Sequence, residues 1–403
     1  MSAMSGTAEP LSVRGIRLGT AAAGIKRQDR DDVLVIEADS NATCAAVFTR
    51  NAFCAAPVLV ARKHLQAMPR WLLINSGNAN AGTGPKGFAD AEATCRALAH
   101  LTGGSSDQVL PFSTGVIGEF LPVEKITTAL SSALESLTEN GWSRAARAIM
   151  TTDTRPKMAS RRVNLADCEI TVTGISKGAG MIQPNMATML AFIATDASVA
   201  KHDLQSLLVT AVDQTFNRIT VDGDTSTNDA CVLLASGACG GIPIKPGSID
   251  YTVFSEAVHA VCAELAEAIV RDGEGATKLI RILVEDARDE DEAHRVAKTI
   301  AHSPLVKTAF FASDPNWGRI LAAVGRAGCE NFEIDRVSIW LGDVRIVSQG
   351  GRDVDYIEAK GAAVMAQDDI TIRVALGRGL ASQTVLTCDF SYDYVRINAE
   401  YRT

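Results

Sequence analysis

The sequence predicts a mixed α/β fold in which helices cover β-sheets. Segments of alternating polar and apolar residues, typical of half-buried strands, recur along the chain. Between them lie segments whose apolar residues return every three or four positions, as in amphipathic helices. At 403 residues the chain is long enough for one large hydrophobic core or for two or three smaller ones. No change in composition marks a boundary between domains.

Five segments predict strands, because apolar and β-branched residues are frequent in them and several alternate with a period of two. They are 31–39, 70–77, 169–174, 337–347 and 369–377. Four further segments predict helices, namely 88–101, 123–136, 202–215 and 255–270. In the last helix an apolar stripe indicates the face that packs against the core, formed by Val258, Val261, Cys262, Leu265 and Ile269.

Composition and charge exclude several classes of protein. Apolar residues make up 47% of the chain and charged residues 21%, as in ordinary globular proteins. The net charge is −8 and the basic residues do not cluster, which argues against nucleic acid as a partner. No segment reaches the roughly 18 apolar residues of a membrane span. Residues 1–15 match neither a secretion signal nor a transit peptide, so we expect a cytoplasmic protein without a membrane partner.

Cysteine and histidine residues give little support to a metal site. The nine cysteines are odd in number, scattered, and never spaced as C-x-x-C. This pattern predicts thiols that are mostly buried, in a reducing compartment. The six histidines are dispersed and no H-E-x-x-H motif occurs, so we expect no bound metal.

Six loops combine glycine with small polar residues, and each adjoins an apolar segment. Such residues supply turn geometry, but loops on a rigid scaffold also commonly carry a functional site. We expect several of them to converge on one site. They are 75–84, 113–119, 151–154, 222–229, 272–278 and 313–319.

Familiar catalytic motifs do not explain these loops. Residues 174–178, GISKG, match the G-x-S-x-G nucleophile elbow, which must lead from a strand directly into a helix. Here Gly178, Gly180 and Pro184 follow Ser176 and suppress helix formation, so the elbow is excluded. The glycines near 177–180 and 273–278 fit neither the P-loop nor the dinucleotide-binding motif.

The segment QPNMATMLAF, residues 183–192, contains one threonine, Thr188, between a glycine- and proline-rich turn and an apolar run. One interpretation is a threonine in a buried strand, which β-branching favours. The other is a nucleophile exposed by cleavage between Ala187 and Thr188. The freed α-amine, with a pKa of about 8, then takes the proton of the hydroxyl group. The local sequence leaves both interpretations open.

Five motifs resemble those of the ornithine acetyltransferases of arginine biosynthesis, also called glutamate N-acetyltransferases. They appear in the expected order and the resemblance covers essentially the whole chain. The 14 residues around Thr188 carry the most specific part of it. The motifs are KGAGMIQPNMATML (177–190), STGVIGEFLP (113–122), TTDT (151–154), DGEGATK (272–278) and INAEYRT (397–403).

The resemblance implies a precursor that cleaves itself into an α chain, 1–187, and a β chain, 188–403, which together form one catalytic unit. It implies a four-layer α/β/β/α sandwich similar to the N-terminal-nucleophile hydrolases, although with different connectivity. The implied reaction is ping-pong: N-acetylornithine donates its acetyl group to the threonine, ornithine leaves, and glutamate takes the acetyl group. No metal or organic cofactor is implied. The implied assembly is an α2β2 heterotetramer.

The resemblance also implies roles for individual residues. Thr188 is the nucleophile, and Thr114 with Gly115 forms the oxyanion hole. The implied substrate-binding residues are Thr151, Lys177, Thr188, Glu274, Asn398 and Thr403. These roles suit the chemistry, because a lysine can bind the carboxylate of an amino acid and a glutamate its ammonium group. Thr152 is the alternative to Thr151 in TTDT.

Other functions stay open at this point. A related self-processing amidase or aminopeptidase would use the same nucleophile but transfer the acyl group to water. A non-catalytic binding protein would not cleave itself. The sequence also leaves open whether acetyl-CoA serves as a second acetyl donor.

Overall fold

A computed structural model describes residues 9–183 and 189–400. The described chain divides into two compact units. The first consists of 9–178, 189–217 and 225–269, and the second of 179–183, 218–224 and 270–400. Both units therefore contain residues from either side of the predicted cleavage position. That position, between Ala187 and Thr188, lies outside the described residues.

The first unit contains two β-sheets, built in its described part from nine strands. They are β1 (Ile16–Ala21), β2 (Val33–Ala38), β3 (Thr43–Phe48), β4 (Trp71–Asn78), β5 (Val109–Val116), β6 (Lys157–Asn164), β7 (Glu169–Lys177), β8 (Leu190–Thr195) and β9 (Ala230–Ala235). Its helices are α1 (Ala56–His64), α2 (Gly84–Thr102), α3 (Val123–Glu135), α4 (Trp142–Ala148), α5 (Lys201–Gln214) and α6 (Ile249–Arg271), the last of which belongs to this unit through residue 269.

The sheets have the strand orders β1-β2-β4-β5 and β3-β9-β8-β7-β6. Within each sheet one pair is parallel, β4 with β5 and β8 with β9. One face of each sheet contributes to a shared apolar core. Successive residues of β2 alternate between its two faces: Leu34 and Ile36 lie in this core, whereas Val33 and Val35 pack against helices. The rings of Phe112 and Phe192 meet edge to face across the two sheets, 5.2 Å apart.

Helices cover the outer faces of both sheets of the first unit. Residues of α2 and α3 pack with those of β2 and β4 in a second apolar cluster. On the other sheet, Gln205 of α5 exchanges two hydrogen bonds of 3.1 Å with the backbone of Ala46 in β3. Helix α6 approaches β7 so closely that a Cβ on Gly174 would lie 3.0 Å from Val261 and Leu265. The predicted α/β/β/α order is therefore confirmed in this unit.

The second unit has one six-stranded sheet with the order β13-β12-β11-β14-β10-β15. Its strands are β10 (Leu279–Ala287), β11 (Ser338–Leu341), β12 (Val344–Ser348), β13 (Gly351–Arg352), β14 (Asp369–Ala375) and β15 (Ala381–Cys388). Its further helices are α7 (Glu290–Ala301), α8 (Pro304–Phe311), α9 (Trp317–Gly325), α10 (Glu358–Met365) and α11 (Tyr392–Ala399). Apolar residues of α7, such as Val296 and Ile300, pack on Ile282 and Ile372 of the sheet in one continuous core.

Most predicted elements are confirmed to within a few residues. The five residues of the apolar stripe in α6 are all fully buried. The prediction of one strand over 337–347 is wrong, because the chain turns back between β11 and β12. Gly342 at this turn has a φ of +55°, a conformation that glycine adopts easily and that ends the strand. Within the residues that the structure describes, no helix is long and apolar enough to cross a membrane.

Candidate active site

The parallel pair β4–β5 places two of the polar loops side by side. Each strand ends in one of them, at 75–84 and 113–119. Gly115, at the end of β5, has a φ of +138°, and a Cβ there would lie 2.3 Å from the carbonyl carbon of Gly77. Only glycine allows this close approach of two backbones.

A buried polar network holds these strand ends. Asn228 donates hydrogen bonds to the carbonyl oxygens of Ala79 and Ser113, at 2.6 and 2.9 Å. The hydroxyl of Ser113 in turn donates to the Oδ1 of Asn75 at 2.6 Å. Because buried hydrogen-bonded groups are costly to separate, the backbone immediately before Thr114 is held in place. Loops 75–84, 113–119 and 225–229 therefore do converge in the first unit.

Lys177, at the end of β7, reaches the predicted oxyanion-hole residue. Its Nζ donates to the Oγ1 of Thr114 at 3.2 Å. Thr114 is 8% exposed, so this contact is largely shielded from solvent, and charges interact more strongly there than in water. A hydroxyl oxygen that accepts a hydrogen bond keeps its own proton to donate. Thr114 can thus donate to a developing negative charge while the ammonium group of Lys177 makes it a better donor.

Asp153 connects the TTDT loop to the residue that follows Lys177. Its Oδ1 accepts hydrogen bonds from Lys157 Nζ at 2.6 Å and from Gly178 N–H at 2.7 Å. Its Oδ2 accepts from Thr151 N–H at 3.0 Å. Burial alone would raise the pKa of this carboxyl group, but the charges of Lys177 and Lys157 lower the pKa below its usual value. Asp153 is therefore ionised, and it positions the backbone of two predicted substrate-binding segments.

Asp229 is a second buried carboxyl group of the first unit. It immediately precedes β9, and the neighbouring Ala230 N–H donates to the carbonyl oxygen of Met189 at 2.9 Å. Burial raises the pKa of Asp229 well above its usual value, although hydrogen bonds from Ser226 and the charge of Lys177 oppose the change. Its Oδ2 has no hydrogen-bond partner in the described part of the chain. A carboxyl group in this state is a candidate for handling protons.

Neither aspartate was singled out by the sequence pattern. Both lie in loops that were, Asp153 in 151–154 and Asp229 in 222–229. The sequence feature that could identify them is a carboxylate in a glycine- or threonine-rich loop. Aspartate is also common in ordinary turns, so this feature alone does not indicate a functional residue. Burial distinguishes the two cases, and burial is a tertiary property.

In the second unit the structure brings together Glu274 and Asn398. The Nδ2 of Asn398, in α11, donates to Glu274 Oε2 at 2.8 Å. The backbone of Glu274 donates to the carbonyl oxygen of Ala179 at 2.8 Å. A Cβ on Gly180 would lie 2.4 Å from the Glu274 carboxylate, so glycine is needed where the chain passes it. Ser391, which caps α11, donates to the carbonyl oxygen of Gly275 at 2.6 Å and holds loop and helix together.

Other predicted positions have different outcomes. Thr188, the bond between Ala187 and Thr188, and Thr403 lie outside the described residues. Ser176 is buried within β7, and the described residues 177–183 that follow it contain no helix, so it is not on a nucleophile elbow. Within 9–183 and 189–400, no three side chains of His, Cys, Asp or Glu gather in a way that could hold a metal ion.

The chain resembles known proteins along nearly its whole length. The model of the ArgJ family matches residues 17–403. The arginine biosynthesis bifunctional protein ArgJ of Methylococcus capsulatus is 68% identical over 391 residues, covering 97% of this chain and 96% of that protein. The ArgJ protein of Pseudomonas fluorescens is 56% identical over 392 residues, with 97% of each chain covered. The crystal structure of ArgJ from Bacillus halodurans matches with a TM-score of 0.51 and 43% identity, covering 53% of this chain and 99% of that one.

Proposed function

Because the chain belongs to the ArgJ family and is an acyltransferase, we propose that it moves an acetyl group from N-acetylornithine to glutamate. The products are ornithine and N-acetylglutamate. The observation that carries the proposal is the contact between Lys177 and Thr114 beside Gly115, since it arranges hydrogen-bond donors of the kind that acyl transfer requires.

The nucleophile of the proposed reaction is Thr188, after self-cleavage between Ala187 and Thr188. The chain then consists of an α chain, 1–187, and a β chain, 188–403. The α-amine freed on Thr188, with a pKa of about 8, acts as the base for its own hydroxyl group. This arrangement needs no histidine and no separate general base.

The first half-reaction forms an ester. The Oγ1 of Thr188 attacks the acetyl carbonyl carbon of N-acetylornithine while the α-amine takes the hydroxyl proton. The oxyanion of the tetrahedral intermediate accepts hydrogen bonds from the hydroxyl of Thr114 and the backbone N–H of Gly115. The C–N bond then breaks and the nitrogen takes up the proton. Ornithine departs, and Thr188 keeps the acetyl group as an ester.

The second half-reaction reverses these steps with another amine. The amino group of glutamate attacks the ester carbonyl carbon, and the same donors stabilise the oxyanion. The C–O bond breaks, the hydroxyl of Thr188 regains a proton, and N-acetylglutamate leaves. Transfer to an amine instead of water distinguishes this proposal from a self-processing amidase or aminopeptidase, and family membership favours the transferase.

Substrate binding is assigned to charged and polar groups. Lys177 binds a substrate carboxylate, and Thr151 also contacts the substrate. Asp153 holds both segments in place, because it accepts hydrogen bonds from the N–H groups of Thr151 and of Gly178, the residue after Lys177. Glu274 binds an ammonium group, and its hydrogen bond from Asn398 fixes the orientation of the carboxylate. Thr403 is also included in the proposed substrate-binding set.

Three further points belong to the proposal. The reaction needs no metal or organic cofactor, because the nucleophile, base and oxyanion donors all come from the protein. We include acetyl-CoA as a second acetyl donor, and the word bifunctional in the names of the Methylococcus and Pseudomonas relatives is consistent with a second activity. The processed chains assemble as an α2β2 heterotetramer and work in the cytoplasm.

The decisive experiment measures the acetyl group directly. Incubation of the purified protein with N-acetylornithine alone should add the mass of one acetyl group to the β chain at Thr188, and glutamate should remove it. Acetylation at another residue, or kinetics that require both substrates bound together, would refute the mechanism. Release of ornithine at full rate without glutamate would indicate a hydrolase, and a single uncut chain would indicate an unprocessed binding protein.

A further inference from the structure

Two cysteines of the first unit, 71 positions apart in the sequence, lie side by side. The Sγ atoms of Cys168 and Cys239 are 3.1 Å apart. Cys168 lies in the turn between β6 and β7, and Cys239 lies in the loop after β9. Both are partly exposed, whereas five of the nine cysteines are buried. A small oxidant can therefore reach this pair.

The backbone on each side of the pair is anchored. Cys239 N–H donates to the carbonyl oxygen of Asp196 at 2.9 Å, and Leu165 N–H donates to the carbonyl oxygen of Cys168 at 2.8 Å. A disulfide needs sulfur atoms about 2.05 Å apart, so closure requires a movement of only about 1 Å. Side-chain rotation supplies such a movement without breaking the backbone hydrogen bonds.

The hydrogen bonds give the two thiols different roles. The thiol of Cys168 donates to the sulfur of Cys239, which also accepts from Gly241 N–H at 3.5 Å. Burial and the bond to Cys239 raise the pKa of Cys168 to about 11, while the charge of Arg14 acts in the opposite direction. The direction of these hydrogen bonds assigns Cys239 as the first nucleophile and Cys168 as the thiol that reacts second.

We propose that Cys168 and Cys239 form a reversible disulfide when the protein meets hydrogen peroxide. The Cys239 thiolate attacks one peroxide oxygen, the O–O bond breaks, and a sulfenic acid and water form. The Cys168 thiolate then attacks the Cys239 sulfur and expels the second water. The two thiols lose two electrons and two protons in total, and the peroxide is reduced to two molecules of water. A dithiol reductant restores both thiols by exchange.

The position of this pair gives the disulfide a specific consequence, which rests on the proposed self-cleavage. Cys168 belongs to the α chain and Cys239 to the β chain, so the disulfide reconnects the two chains after cleavage. It joins the beginning of β7 to the loop beyond the end of β9, whereas Lys177 lies at the other end of β7. Oxidation should therefore leave acetyl transfer unchanged and prevent the chains from separating.

The test compares the processed protein before and after treatment with hydrogen peroxide, on denaturing gels without reductant. We expect two bands for the reduced protein and one full-length band after oxidation, which dithiothreitol splits again. Alkylation of the denatured protein should count nine free thiols before oxidation and seven after it. Cys168→Ser and Cys239→Ser should each abolish the linked band. The control Cys329→Ser removes another partly exposed cysteine and should keep it.

Peptide mapping separates this inference from the proposed function. If the chain is not cut, the gel shows one band in every lane, but digestion should still yield a disulfide-linked peptide pair containing Cys168 and Cys239. The proposal is overturned if both thiols stay alkylatable at a peroxide concentration that oxidises the exposed thiols of an unrelated control protein. It is also overturned if the linked peptides contain other cysteines.

Discussion

Replacement of Asp153 by asparagine tests the buried charge network beneath the candidate site. The side chains of Asp153 and Lys157 are 0% and 1% exposed, and their ion pair has a length of 2.6 Å. Asparagine has nearly the same shape but no charge. Its amide keeps one oxygen acceptor but places an N–H₂ group where the other carboxylate oxygen accepts a hydrogen bond, from Thr151 N–H at Oδ2 or from Gly178 N–H at Oδ1. The variant therefore leaves buried donors facing each other and removes the charge that balances Lys157.

The expected cost follows from this geometry. Removing one partner of a buried ion pair costs about 3–5 kcal/mol of stability. For a compact unit of this size, each kcal/mol lowers the melting temperature by about 2–4 °C. We expect Asp153→Asn to lower the melting temperature by roughly 6–12 °C, taking about 3 kcal/mol as the cost because the variant keeps one oxygen acceptor.

The matched control is the pair Lys86–Asp90 in α2, which has the same four-residue spacing. Its length is 2.7 Å, but Lys86 is 55% exposed. Exposed pairs contribute only about 0–1 kcal/mol, so Asp90→Asn should barely change the melting temperature. Calorimetry on both variants checks the prediction. If Asp153→Asn melts within about 2 °C of the wild type, as expected for an exposed pair, the assignment of a buried ionised pair is wrong.

The same pair predicts a dependence on pH. The pKa of Asp153 is lowered in the folded protein, so its stabilising contribution is complete above its unfolded pKa of about 3.9. That contribution is lost as the pH falls through the folded value. The difference in melting temperature between wild type and Asp153→Asn should thus stay constant from neutral pH down to about pH 5 and shrink only below about pH 4. A difference that already shrinks between pH 7 and pH 5 would contradict this assignment.

The remaining predictions concern the proposed reaction. Thr114→Ala should lower kcat by about 10²–10³-fold with little change in KM, because its hydroxyl acts mainly in the transition state, whereas Thr114→Ser should retain most activity. Thr188→Ala should stay one uncut, inactive chain, and Thr188→Ser should still be cut, but more slowly. If N-terminal sequencing of Thr188→Ala finds a β chain that begins with alanine, another protease cuts the chain and self-cleavage is wrong. Glu274→Gln should raise the KM for N-acetylornithine by roughly 10-fold or more with a smaller effect on kcat, since it removes a charge-assisted bond. An unchanged KM would remove Glu274 from the binding site.

The sequence by itself determined the local elements and the family motifs. The stripe from Val258 to Ile269 predicts a helix and its buried face, because residues three and four apart share one side of a helix. The alternation in 31–39 likewise predicts β2, since successive side chains point to opposite faces of a strand. Motifs around Thr114, Lys177 and Glu274 can also be recognised locally, because each is a short run of consecutive residues.

Only the tertiary structure decided which distant groups meet. Thr114 and Lys177 are 63 positions apart, yet packing of one sheet on the other brings hydroxyl and ammonium groups together. Asp153 resembles an ordinary turn residue in the sequence, and only its burial beside Lys157 makes it a charged support of the site. Cys168 and Cys239 match no local motif, because their contact depends on how the fold brings two loops together that are 71 positions apart in the sequence. Local periodicity predicts which secondary structure a segment forms and which of its faces is buried. Desolvation and long-range contacts depend on how the helices and strands pack together.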